Sequence, residues 1–201
     1  MSKLLFPGLN LHSPAEAYFR HPPTLETERL TLRPMRMGDA RSVYAWSRDP
    51  EVARYVLWDA HTSILDTREY LSYVRRLYRR GLPSSWGICP RGGDQVIGTI
   101  GIMGWSPENQ SCEIGYSLGK AWWGQGYMTE AAGRLILSLF RDLDMNRIEA
   151  QHDIRNPASG RVLEKCGMQR EGVLRSRVRN KGEYVDVVMW AVIRSDFHDL
   201  P

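Results

Sequence analysis

Two short stretches of this chain have residue types and spacing that could do chemistry. In the first, Trp123-Gly124-Gln125-Gly126-Tyr127-Met128-Thr129 joins a strand-like run to a strongly periodic helical one. Two glycines allow backbone N–H groups to converge without a Cβ in the way, and the start of the helix adds a partial positive charge. That combination suits a pyrophosphate, although a plain tight turn would use the same residues. The third glycine of a dinucleotide fingerprint is missing, and so is a Gly-Lys-Ser/Thr ending, which disfavours hydride transfer and nucleotide hydrolysis. The second stretch begins at Asn156, with Ser159 one turn along, and Asn156 equally reads as a helix N-cap. Between the two in function stands Glu113, on a strand just ahead of the glycine turn. Alternation puts it with Gly115 and Ser117, opposite Cys112, Ile114 and Tyr116. A carboxylate there must be paired or face a wet cleft; it could accept a proton in general-base chemistry, or be a solvated or salt-bridged strand residue.

Other reactive side chains read as structural. Cys166 sits at a helix end that disfavours a thiolate and is assigned to the core. His61 and His152 have no partner at metal-ligand spacing. Glu130, in the first turn of a helix, suits the helix dipole. Arg175, Arg177 and Arg179 alternate and make one strand face basic, either as solvated surface or as a collar for an acidic ligand. Cys89, Cys112 and Cys166 are odd in number without CxxC spacing, so neither a disulfide framework nor a zinc site is expected, and a reducing cytosol fits best.

Several elements must position these groups. Arg29–Met35 reads as a strand, Asp39–Arg48 as a helix, and 67–80 as a longer helix capped by Asp66. Ser85–Cys89, Gln95–Trp105 and Ser111–Leu118 read as an antiparallel meander whose first turn is Arg91-Gly92-Gly93-Asp94. Thr129–Asp142 has apolar residues at threes and fours. Ile148–Ile154 is a strand, Asn156–Lys165 a helix, and Val173–Val178 with Tyr184–Ile193 a final hairpin turned at Asn180-Lys181-Gly182. The expected class is α/β (α+β), with a mixed, mostly antiparallel sheet of about seven strands flanked by about four helices.

The segments CEIGYSLGKAWWGQGYMTEA, RIEAQHDIRNPASGRVLEKCGM and ETERLTLRPM resemble the Gcn5-related N-acetyltransferase (GNAT) superfamily, most closely its RimJ/RimL-like branch of ribosomal-protein N-terminal acetyltransferases. The resemblance covers residues 26–197, leaving 1–25 as an N-terminal extension, with a turn of helix at 14–19, and 198–201 as a tail. It implies a sheet splayed between the fourth and fifth strands and acetyl-CoA (coenzyme A) as co-substrate. The acetyl group would pass to a primary amine by direct attack, with no enzyme nucleophile and no metal. The acceptor would be a protein N-terminus or a small amine such as a polyamine, amino acid or aminoglycoside. A non-catalytic acyl-CoA sensor is the rival from another class. The implied CoA-binding residues are Tyr116, Ser117, Leu118, Gly124, Gln125, Gly126, Tyr127, Met128, Thr129 and Asn156. Trp123 and Met128 depart from the family's acyl-CoA pattern, which leaves those contacts to backbone N–H groups. The tyrosine that many relatives use as general acid is Leu163 here, so Ser159 is the expected proton donor to sulfur, with Glu113 as base.

Composition fits this frame. The 201 residues suit one domain, and 42% hydrophobic with 25% charged residues excludes wholesale disorder. No apolar run approaches the roughly 18 residues of a membrane span, and the start lacks a secretory pattern, so a cytoplasmic protein is expected. The net charge of +4 is too modest to argue for specific nucleic-acid binding. Seven tryptophans leave room for an apolar interface between two copies.

Overall fold

The computed structural model describes residues 14–196; residues 1–13 and 197–201, including the expected 198–201 tail, lie outside the described residues. In chain order the elements are α1 (Pro14–Arg20), β1 (Leu25–Glu26), β2 (Leu30–Pro34), α2 (Ala40–Ser47), α3 (Pro50–Ala53), α4 (Ile64–Arg79), β3 (Ser85–Pro90), β4 (Gly98–Ser106), β5 (Ser111–Leu118), α5 (Tyr127–Asp142), β6 (Arg147–Asp153), α6 (Pro157–Lys165), β7 (Gln169–Asn180) and β8 (Glu183–Ile193). The strands form one sheet in the order β1-β2-β3-β4-β5-β6-β8-β7. Only β5 and β6 run parallel; every other neighbouring pair is antiparallel. The seven expected strands are joined by the two-residue β1; α1 is the turn of helix expected at 14–19, and the single turn α3 adds to the four expected helices.

Alternation divides the sheet into two faces. Ile100, Ile102, Cys112, Ile114, Ile148 and Ala150 point into one core, which α5 and α6 cover. The helical spacing in α5 puts Ala131, Ala132, Leu135, Ile136 and Leu139 out of solvent entirely, and burying each of the larger side chains stabilises the fold by about 1.5–3 kcal/mol. Helix α1, within the segment read as an extension, packs here too: Phe19 meets Trp105 edge-to-face and the Tyr18 hydroxyl bonds Ser138 at 2.7 Å. On the opposite face, α2 and α4 cover Met35, Cys89 and Val96 with Val43, Trp46, Leu71, Val74 and Tyr78.

The structure corrects four local expectations. Ser63, not Asp66, caps α4; Asp66 is the third residue of the helix and bonds back to the Ser63 N–H, closing a capping box. The link from β3 to β4 spans 91–97 rather than a tight turn. Arg33 draws in the Asp94 carbonyl and carboxylate, while Val96 and Ile97 are buried. Arg175, Arg177 and Arg179 do not share a regular strand face, because a bulge between Leu174 and Val178 breaks the register. Ser176 takes φ +50° there, with its N–H held by the Asp186 carboxylate. Glu130 does more than complement a dipole, because it ties two segments together as described below.

The sheet opens where chemistry was expected. The β5–β6 pairs end at Ile114↔Ala150, although β5 runs on to Leu118 and β6 to Asp153. Each strand follows its outer neighbour instead: β5 stays paired with β4 to Leu118, and β6 with β8 to Asp153. A bulge at Met103 in β4, opposite Glu113 and Ile114, adds local twist at the apex of this fork.

Candidate active site

The glycine turn stands at the end of β5. Gly124 and Gly126 have φ of +74° and +82°, conformations that L-residues with a side chain rarely adopt. Gly126 is the N-cap of α5 and no side chain caps the helix, so the first-turn N–H groups of Tyr127, Met128 and Thr129 face outward without intrahelical partners. Neighbouring side chains fix the turn. The Trp123 indole N–H donates to the Leu118 carbonyl at 2.7 Å, and the Gln125 amide to Ala121 O at 2.9 Å. Arg29 donates to the Gln125 carbonyl at 3.0 Å, lies over the Tyr127 ring and bonds the Glu130 carboxylate at 2.7 Å. Glu130 also accepts from the Thr27 hydroxyl and the Arg29 backbone N–H. Burial works against its charge, but these donors hold its carboxyl below the usual range. Of the expected CoA-binding residues here, Met128 has its side chain in the core, so it can offer only backbone. The Leu118 carbonyl already accepts one bond, from Trp123.

The fork lies beside this turn, and the β5 edge of Gly115–Leu118 that faces β6 has no strand partner. Helix α6 starts across the gap. Asn156 is its N-cap, Oδ1 accepting from the Ser159 N–H at 3.3 Å, so the capping reading holds and the amide nitrogen is left for other work. Tyr116 reaches across from β5: its hydroxyl lies 2.9 Å from Ser159 Oγ and 3.0 Å from Ser159 O. Burial, only partly offset by the Ser159 bond, pushes the Tyr116 phenol well above its ordinary value, so it stays protonated. Gly160 seats the helix, because a Cβ there would sit 2.8 Å from His152 Nε2.

Glu113 occupies the other face of the sheet, at the apex of the fork. Its Oε1 accepts from Gln151 Nε2 at 2.8 Å. Burial is the main cause that raises its carboxyl above the usual range; the Gln151 bond and the Arg177 charge work the other way, and Glu149 adds to the rise. Glu149 is held in turn by Arg147 at 2.6 Å. On the same face the Met103 side chain lies over Gly115, and Ser84 and Ser85 lie against Gly101, each too closely to admit a Cβ. At one end of this face a crevice of about 250 Å³ lies between Arg54 and Tyr55 after α3, Arg155 after β6, and Asn180, Lys181 and Glu183 at the hairpin tip. Lys181 donates to Ala53 O and so ties the tip to α3.

The fold thus brings Tyr116, Asn156 and Ser159 together on one side of the fork, puts Glu113 at its apex on the other, and places Gly124–Thr129 at the end of β5. Ser117 shares Glu113's face. The remaining candidates are structural: His61 bonds Ser47 and Thr67, His152 bonds Asp153 O, and the Cys166 thiol is buried, with burial pushing its pKa up to about 12. Sequence reading missed Gln151, Arg29 and Thr27. Gln151 follows Glu149 on the same face, but its distance from Glu113 depends on a parallel pairing that no local signal announces. Among the described residues no group of three or more His, Cys, Asp or Glu is placed to hold a metal ion, and no helix is long and apolar enough to cross a membrane.

Known proteins place this arrangement. Residues 29–169 match the acetyltransferase (GNAT) domain family, and the chain belongs to it. The chain is 36% identical over 174 residues to the N-acetyltransferase p20 of Bacillus licheniformis, covering 87% of this chain and 98% of that protein. It is 26% identical over 128 residues to the [ribosomal protein uS5]-alanine N-acetyltransferase of Escherichia coli, covering 63% and 66%. Among solved structures, a GNAT-family acetyltransferase from Bacillus anthracis superposes with a TM-score of 0.77 at 25% identity, over 86% of this chain and 99% of that one. The RimL ribosomal L7/L12 alpha-N-protein acetyltransferase in complex with coenzyme A shares the fold, with a TM-score of 0.77 at 23% identity, over 85% and 98%. The protein is an N-acetyltransferase with the mixed α/β GNAT fold, and it is similar to ribosomal-protein acetyltransferases.

Proposed function

We propose that the protein transfers the acetyl group of acetyl-CoA to the α-amine of a protein N-terminus, in one step within a ternary complex. The observation that carries this reading is the fork, with a hydroxyl pair on one side and a half-buried carboxylate at its apex on the other. The pyrophosphate would rest on the N–H groups of Gly124–Thr129, and the pantetheine amides would add to the open edge of Gly115–Leu118 as a strand would. Asn156 Nδ2 is available to a pantetheine carbonyl.

The acceptor then approaches Glu113 from the opposite face of the sheet. An α-amine has a pKa of about 8, so much of it is protonated at neutral pH and must lose a proton first. Glu113, with its raised pKa, takes that proton. The nitrogen lone pair forms the C–N bond to the thioester carbonyl and the C–S bond breaks. The acylated nitrogen gives its second proton to water, Ser159 gives its own to the departing sulfur, and the serine is reprotonated from water by relay through the Tyr116 hydroxyl, which stands in for the tyrosine that Leu163 displaces. The similarity to a ribosomal-protein N-acetyltransferase favours a protein N-terminus over a small amine. Thiol release from acetyl-CoA, measured with N-terminal peptides beside polyamines, amino acids and aminoglycosides, tests this. Turnover with peptides is expected. Turnover only with small amines would replace the acceptor, and none with any amine would leave an acyl-CoA-binding domain.

A further inference from the structure

We propose that Gln151 positions Glu113 through both halves of the proton transfer, its amide N–H holding the carboxylate and its amide oxygen receiving the acid that forms. This rests on the reading of Glu113 as the base. Gln151 is the first β6 residue on Glu113's face beyond the last β5–β6 pair, so its side chain spans the apex of the fork. Nε2 donates to Glu113 Oε1 at 2.8 Å, while Gln151 Oε1 is buried and has no hydrogen-bond partner. A buried acceptor without a donor is costly, and such atoms call for an explanation.

A carboxylic acid and a primary amide can make two hydrogen bonds in a ring. A carboxylate can make only one, because it has no proton to give. The structure has that one bond and the vacant acceptor of the other. When an ammonium N–H bond breaks, its electron pair stays on nitrogen and the proton forms an O–H bond on Glu113 Oε2. That O–H is the donor Gln151 Oε1 lacks. One side chain therefore fits both states of the base: the carboxyl keeps its place, and only the new O–H turns about its C–O bond toward Gln151 Oε1.

The surroundings leave this role to Gln151. Glu149, on the same strand, is taken up by Arg147, and Arg177 from β7 acts on Glu113 through its charge. On the β4 side, Met103 and Gly104 carry no titratable group. The neighbouring Cys112 points into the opposite core, with burial pushing its thiol up to about 12.

The test is a double-mutant cycle in kcat at saturating substrates, with Gln151→Met, Glu113→Gln and both together. Gln151→Met is expected to lower kcat about tenfold or more with little change in either KM, and to cost nothing further in the Glu113→Gln background. Gln151→Glu sets a second carboxyl against the first, and is expected to move the acid limb of kcat/KM up by about one pH unit or more. A wild-type kcat in Gln151→Met, the same loss in both backgrounds, or an unmoved limb in Gln151→Glu would overturn the proposal. If Glu113→Gln itself keeps the full rate, the base reading fails and takes this one with it. If Glu113→Gln is slow and Gln151→Met is not, only Gln151 is acquitted.

Discussion

At Gly126 a single backbone angle decides whether the turn can exist. A β-branched residue is a steric outlier at φ +82°, and an added Cβ would also stand 3.4 Å from Arg29 Nη2. Gly126→Val is therefore expected to leave a folded protein with CoA binding weakened more than tenfold, or about 1.4 kcal/mol, by calorimetry. Wild-type affinity would remove the turn from the pyrophosphate site. Ser159 makes the opposite demand, because sulfur needs its proton only as the C–S bond breaks. Ser159→Ala should lower kcat with acetyl-CoA affinity nearly unchanged, and a wild-type kcat with chemistry rate-limiting would return Ser159 to the helix surface. The glycine turn was legible in sequence because two glycines and a periodic helix are local signals. The Tyr116–Ser159 pair was not, because the two residues come together only through the fork.

Helix α6 shows how an element carries a site. Gly160 allows its first turns to press against His152, whose Nδ1 is already bonded to Asp153 O at 2.8 Å and whose ring is buried. In an open helix Gly→Ala would gain about 1 kcal/mol from propensity. Here the new methyl meets a ring that cannot swing away, and overpacking of this kind costs about 1–3 kcal/mol. Gly160→Ala is thus expected to lower Tm in a thermal melt, by roughly 2–4 °C per kcal/mol lost. A higher Tm would mean that α6 is not seated on β6. The helices and strands themselves were largely legible from periodicity. Their long-range ties were not: the Thr27–Arg29–Glu130 link joins the start of β2 to α5, and nothing in either segment alone names the other.

Across the whole molecule, the fork between β5 and β6 carries Tyr116 and Ser159 on one face of the sheet and Glu113 on the other. Chain order foretold the mixed sheet, and the family resemblance supplied the splay. The bulges at Met103 and around Ser176 were invisible, because they arise from register between strands. Holding Glu113 at the junction carries a cost. Its folded pKa lies above its unfolded one, so its contribution to stability is present below the unfolded pKa near 4.5 and is lost as pH rises through the folded value. At neutral pH the charged side chain therefore destabilises the fold, and Glu113→Gln should raise Tm at pH 7. That gain should disappear below about pH 4, where the native carboxyl is protonated in both states. A lower Tm at pH 7 would show a carboxylate that is paired rather than strained.

The pH–rate profile of Glu113→Gln against wild type tests the central claim, that this carboxylate deprotonates the amine. The variant should lose about 10²–10⁴-fold in kcat/KM at neutral pH, and the loss should shrink as pH rises and neutral amine becomes abundant. A Gln variant with the full rate and an unaltered profile would contradict the account and make Glu113 a structural residue of β5.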